Sequence, residues 1–179
     1  MSRIPRATRD TISLEAQATW DRIAAVRPGL QGPYGILMRV PALAELVAAE
    51  EDYFRLDAAL SAADRELVVL AALRELEGHY GWTRHEPRAR EEGTRAEAIE
   101  AVRAMAAVDG LTPREQVLVE LVRTLLRTRT LPDALFARAL AELGQQQLVE
   151  VVALVGHYGL IGLILRGFAV PAPEGSVTF

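Results

Sequence analysis

The chain has 179 residues, half of them hydrophobic, and 20 basic against 24 acidic side chains give a net charge of −4. That length and apolar content suit one well-packed domain rather than a disordered chain, and the acidic balance gives no broad attraction to nucleic acid. No cysteine is present, which excludes disulfides, thiolate zinc sites and thiol redox cycles, while the richness in alanine, leucine, glutamate and arginine favours an all-α fold.

The opening MSRIPRATRD lacks the apolar core of a secretory signal, so a cytoplasmic location is the expectation. Periodicity predicts a first amphipathic helix over 11–26, with Ile12, Ala16, Ile23 and Ala24 near one face and Trp20 beside it, stopped by Pro28-Gly29. A loop through Gly32-Pro33-Tyr34 leads to a helix starting near Pro41, along which Leu43, Leu46, Val47, Glu50 and Phe54 alternate. Ser61, with Asp64 three residues on, opens the next helix. Val68, Val69, Ala71, Ala72, Leu73 and Leu76 make that helix apolar over much of its circumference, which predicts a central position. A turn, Gly78-His79-Tyr80-Gly81, then precedes a helix that carries His85 and ends at Gly93. Thr94 with Glu97 caps another, Asp109-Gly110 breaks the chain, and Thr112-Pro113 with Glu115 supplies cap, first-turn proline and capping-box glutamate together. Helices over 132–143 and 145–166 follow, closed by Gly144 and Gly167, and the tail PAPEGSVTF is expected on the surface or across a partner.

An internal repeat underlies this order. LSAADRELVVLAAL at Leu60 has the pattern of LTPREQVLVELVRTL at Leu111, an offset of 51 residues (111 − 60) that also carries Gly93 onto Gly144. The expectation is one domain over 1–179 made of two related helical units, about 41–108 and 111–167. Glu66 corresponds to Val117 and His85 to Phe136, so one polar site per chain is expected, with the second unit as scaffold.

Glu66 and His85 are the leading catalytic candidates. A carboxylate and an imidazole, with reference pKa values of roughly 4.3 and 6.5, can pass a proton between each other and a substrate or water. Burial is expected to raise the Glu66 value. Either residue alone reads as an ordinary ion-pairing glutamate or a polar-face histidine. A hairpin turning at 78–81 would set His85 opposite Arg74, with Glu66 about 12 Å further along the helix. Tyr80 and Trp82 serve either as pocket walls or as aromatic anchors of the helix junction. His79 is either a second proton carrier or a solvent-exposed turn residue. Arg84, Arg88 and Arg90 would orient a carboxylated substrate, or pair with Glu86, Glu91 and Glu92, and pairing is favoured for most of them. No metal site is expected, since His79 and His85 lack helical zinc spacing and His157 is remote. The apolar run LVEVVALVGHYGLIGLIL is interrupted by Glu150 and His157, which favours a core or oligomer-interface helix over a membrane span. In it Gly156, Gly159 and Gly162 allow close helix approach, and His157 with Tyr158 are either satisfied core groups or pocket-facing ones.

RELVVLAAL, the nineteen residues from Glu66 to His85 (85 − 66) and Gly93 eight residues later (93 − 85) resemble the core of the carboxymuconolactone decarboxylase and alkylhydroperoxidase D superfamily. The resemblance implies an alkylhydroperoxidase D-like helical bundle and a relay of Glu66 with His85. It also implies assembly as a dimer, trimer or hexamer. Two cysteines of the peroxidase branch fall at Gly78 and Gly81 here, so thiol peroxidase chemistry is excluded. The decarboxylase branch works without a cofactor on a carboxylated lactone. The resemblance therefore implies cofactor-free acid–base chemistry on a small organic acid or lactone; Tyr80, Trp82, His79 and Arg88 are the candidate pocket-lining or auxiliary residues. Neither nucleic acid nor membrane is an expected partner. A non-catalytic oligomeric scaffold of the same fold stays open, and GTRAEAIEAVRA, which mimics a helix-turn-helix, is outweighed by the acidic balance.

Overall fold

The computed structural model describes residues 2–27, 30–176 and 178–179, which form an all-α protein with no strand among the described residues. Its helices are α1 (Leu14–Val26), α2 (Pro33–Leu37), α3 (Pro41–Leu56), α4 (Ala62–Glu75), α5 (His79–Glu91), α6 (Ala96–Arg103), α7 (Pro113–Thr128) and α8 (Asp133–Gly167). The predicted stop at Pro28-Gly29 lies outside the described residues.

Local chemistry explains where these boundaries depart from periodicity. α1 starts at Leu14 rather than residue 11, because Ser13 caps the Ala16 amide while Arg9–Thr11 forms a short 3-10 turn. α2 occupies the expected loop: Gly32 turns the chain at φ 62 and Pro33 pre-sets the first helical residue. Five residues are too few for a periodic signal. Thr94 does not cap α6, whose N-cap is Arg95. Its hydroxyl donates instead to the Ala63 carbonyl at 2.9 Å, tying the start of α6 to α4. The Thr112–Glu115 capping box forms at α7. The two final helices meet, as expected, at a kink at Gly144, where φ 71 and ψ 174 leave helical space; they are numbered together as α8. Gly93 takes φ 88 at the end of α5, so both positions of the repeat offset need a glycine backbone.

α4 is central. Every residue from Arg65 to Leu73 is buried, against α5, α6, α7 and α8. Leu67, Val68 and Leu70 join Leu118 and Leu121 of α7 and Val151 and Leu154 of α8 in the main core. A second core holds Ile23 of α1, Leu37 of α2 and Val47 of α3 against Ile161 and Leu165 near the end of α8. The tail does not stay on the surface throughout. Phe179 returns to the main core, 4.4 Å from the His79 ring and 5.3 Å from Trp82, with the Arg74 guanidinium over its face.

Candidate active site

α4 and α5 are joined by a turn at 76–78, with Glu77 in the left-handed region at φ 50. α5 already begins at His79, so the expected turn at 78–81 is set too late. A hairpin centred on Glu77 places His85 level with Val69, three residues from Glu66 (69 − 66), and about 4.5 Å of helix rise is within reach of the two side chains. His85 Nδ1 lies 2.7 Å from Glu66 Oε2. The early turn depends on glycine: a Cβ on Gly78 would stand 2.8 Å from Leu73 Cδ2, and one on Gly81 only 2.4 Å. The two cysteine-equivalent positions are therefore sealed by the Leu73 side chain.

Glu66 is 1% exposed, and its Oε1 accepts from Arg65 Nε at 3.3 Å and Nη2 at 3.2 Å. Burial pushes its pKa up, as expected from sequence. The His85 hydrogen bond and the charges of His85, Arg65 and Arg88 outweigh that burial, so Glu66 is held below the usual carboxylate range. The expectation of a raised Glu66 is thereby reversed. At neutral pH the carboxylate is ionised and can only accept, so His85 Nδ1–H donates to it and Nε2 is left for other work. The Tyr158 hydroxyl of α8 stands 3.0 Å from that Nε2 and donates to it when the ring is neutral. Burial, with the charges of Glu51 and Glu66, pushes the Tyr158 pKa well above the ordinary phenol range, so the donor keeps its proton. Arg65, Glu66, His85 and Tyr158 thus form one hydrogen-bonded chain.

His85 and Tyr158 line a cavity of about 160 Å³ between the two cores, which α1, α2, α3, α5 and α8 all help to enclose. Four guanidiniums, of Arg27, Arg55, Arg84 and Arg88, face it with one carboxylate, that of Glu51. Glu51 is already engaged: Arg55 lies 2.7 Å and Arg27 3.2 Å away, and the Tyr34 hydroxyl donates to it at 2.5 Å. Among the described residues Arg84 and Arg88 have no acidic partner, although like charges one turn apart on a helix repel. Arg90 behaves as the surface reading predicts, pairing with Glu86 and Glu100.

The auxiliary residues divide. Tyr80 and Arg88 line the cavity. Trp82 does not: it is buried in the main core, edge-on to Phe179 and under the Arg103 guanidinium. Three residues separate it from His85, enough to turn its indole toward α6 and the tail. His79 is exposed and stacked on Phe179, away from the Glu66–His85 pair. The sequence left His157 and Tyr158 between two readings, and both line the cavity, with His157 Nδ1 3.1 Å from Glu50 Oε2. Arg27, Tyr34, Glu51 and Arg55 were not singled out from sequence, where Glu51 and Arg55 look like an ordinary i, i+4 surface pair.

Comparisons place this geometry among known folds. Residues 41–124 match the carboxymuconolactone decarboxylase family. A solved structure of an AhpD core, an uncharacterized peroxidase-related protein from Ralstonia eutropha JMP134, is similar with a TM-score of 0.76 at 17% identity. The match covers 97% of this chain and 93% of that one, and at that identity it shows the fold alone. No curated protein matches the sequence.

Proposed function

We propose, from the match of residues 41–124 to the carboxymuconolactone decarboxylase family and the AhpD-like fold, that the arginine-lined cavity carries out cofactor-free acid–base chemistry on a small organic acid or lactone. The observation that carries the proposal is the 2.7 Å bond between a sealed, ionised Glu66 and a cavity-lining His85. That pairing fixes the imidazole tautomer and balances the charge the ring takes up when Nε2 gains a proton, the arrangement expected of a proton-transfer histidine.

Size and charge support the substrate class. A cavity of roughly 150 Å³ takes a molecule the size of benzene, so a single ring fits the space. Arg27 and Arg55 are spent on Glu51 and Asp52, while Arg84 and Arg88 offer unspent forks that favour a planar carboxylate. In a decarboxylation, the carbon–carboxylate bond breaks and its electron pair stays on the substrate as an enolate. His85 Nε2, having first taken a proton from water, delivers it to that carbanion centre, and the ring returns to its neutral, Nδ1-protonated form. Glu66 keeps its charge throughout, and Tyr158 holds Nε2 in place between turnovers. A thiol peroxidase cycle needs a sulfenate-forming cysteine, and this chain has none.

The test is turnover of a panel of small carboxylated lactones and β-keto acids, read as carbon dioxide release and ring opening. His85→Ala and Glu66→Gln should each lose about 10²–10⁴-fold of the rate, with helical circular dichroism intact. Undiminished turnover in both variants, or no turnover by the wild type, would contradict the proposal.

A further inference from the structure

Two imidazoles line the cavity, and the decarboxylation above uses one of them. The other, His157 of α8, is 3% exposed, and it is held as His85 is held, by a carboxylate on Nδ1. Glu50 Oε2 of α3 lies 3.1 Å from that nitrogen. A carboxylate can only accept, so Nδ1 carries the proton and Nε2 presents a lone pair. Nε2 has no hydrogen-bond partner among the described residues, although no buried side-chain nitrogen or oxygen among them lacks one. Nε2 therefore borders space that a water molecule can reach. The spaces His157 lines are the cavity and a void of about 10 Å³ beside it, and such a void has roughly the room one water needs. His85, Tyr158, Glu51, Arg55, Arg65 and Glu66 share its lining with His157. Glu51 pairs there with Arg55, and Glu66 with Arg65 and His85, which leaves His157 Nε2 as the base without a partner.

We propose that Glu50 and His157 form a second acid–base pair, which activates a water in this void for hydrolytic opening of a lactone ring held in the cavity. The proposal deepens the reading of the cavity as a site for small acids or lactones, and it rests on that reading. His157 Nε2 takes one proton of the water as the water oxygen bonds to the lactone carbonyl carbon. Arg55, which lines both spaces, supplies positive charge to the resulting oxyanion. When the carbonyl re-forms, the bond from its carbon to the ring oxygen breaks, and the ring oxygen leaves with the electron pair. The His157 imidazolium then gives its proton to that oxygen. The products are a carboxylic acid and a hydroxyl group, with the atoms of one water added across the broken bond. Glu50 balances the charge that the His157 ring gains in between, as Glu66 does for His85.

Paraconate, a carboxylated γ-lactone, and acetoacetate, a β-keto acid, separate the two pairs. The wild type should release acid from the first in a pH-stat and carbon dioxide from the second. His157→Gln should lower the ratio of ring opening to carbon dioxide release about 10²-fold, the lower end of what a positioned general base supplies. Glu50→Gln should lower that ratio about tenfold, and with its side chain 45% exposed it keeps the test decisive should His157→Gln fail to fold. Added imidazole should restore ring opening in His157→Ala, which a loss of packing alone would not allow. Glu45→Gln, on the same helix as Glu50, should match the wild type. An unchanged ratio in His157→Gln and Glu50→Gln, or no rescue of His157→Ala by imidazole, would overturn the proposal. So would a wild type that decarboxylates acetoacetate but leaves paraconate closed, and that result would spare the reading of the cavity. Inertness toward both probes would overturn the two together.

Discussion

Replacing Gly81 with alanine tests how the site is assembled. The added methyl would stand 2.4 Å from Leu73 Cδ2 and 3.0 Å from Cδ1, closer than real Cβ contacts come, and Leu73 is fully buried. Overpacking of this kind costs about 1–3 kcal/mol, and removal of a helical glycine returns at most about 1 kcal/mol. A net loss of about 1–2 kcal/mol would lower the melting temperature by roughly 2–8 °C in a chain this size. Leu73→Ala alone should cost about 2–5 kcal/mol by opening a cavity. In the double variant the alanine methyl moves into that cavity, so the second substitution becomes neutral or favourable. Urea melts of the four proteins would show a coupling of at least about 1 kcal/mol. Costs that add to within about 0.5 kcal/mol would refute the claim that Leu73 seals the thiol-equivalent positions. Gly81→Cys should be destabilised for the same reason.

The pH dependence of stability follows from Glu66. Its carboxyl titrates below the ordinary value of 4.5 when folded, so its contribution is complete above that value and is lost as pH falls through the lowered folded one. Between about pH 6 and pH 3 the melting temperature of the wild type should therefore fall more steeply than that of Glu66→Gln, and parallel curves would contradict this. Arg84→Gln and Arg88→Gln should each weaken benzoate binding about tenfold in calorimetry, or about 1.4 kcal/mol. Stability should hold or rise by about 0.2–0.5 kcal/mol as the i, i+4 repulsion is relieved. Unchanged benzoate affinity would remove Arg84 and Arg88 from the anion site.

Much of this architecture is legible in the residues themselves. The capping serines and threonines at Ser61 and Thr112, the punctuating glycines at Gly93 and Gly144, and the apolar girth of α4 place most helices before any coordinates are seen. The all-α class and the resemblance to the carboxymuconolactone decarboxylase family are legible in the same stretch that holds Glu66 and His85. The misses share a cause: they depend on partners distant in sequence. Whether residue 79 or residue 82 is the first beyond the turn is decided by Leu73 packing against two glycines. Thr94 reads as a cap until Ala63 claims its hydroxyl. Trp82 shares a helix face with His85, yet it packs into the main core with Phe179 and Arg103 rather than lining the cavity. Burial of Glu66 is visible in an apolar run, whereas the His85 hydrogen bond and the neighbouring charges that outweigh it depend on where the α4–α5 turn falls. Tyr158 and the Arg27–Glu51–Arg55 cluster enter the site only when α8 and the α1–α3 core close over α5.

The central claim is that an ionised Glu66 holds His85 with Nδ1 protonated and Nε2 directed to the cavity. Long-range ¹H–¹⁵N spectra of the imidazoles at neutral pH measure this directly. The account predicts a protonated Nδ1 on His85, a tautomer preference lost in Glu66→Gln, and an Nε2 resonance that moves when benzoate fills the cavity. A His85 ring protonated at Nε2 alone, or an Nε2 signal indifferent to benzoate while that ligand binds, would contradict it.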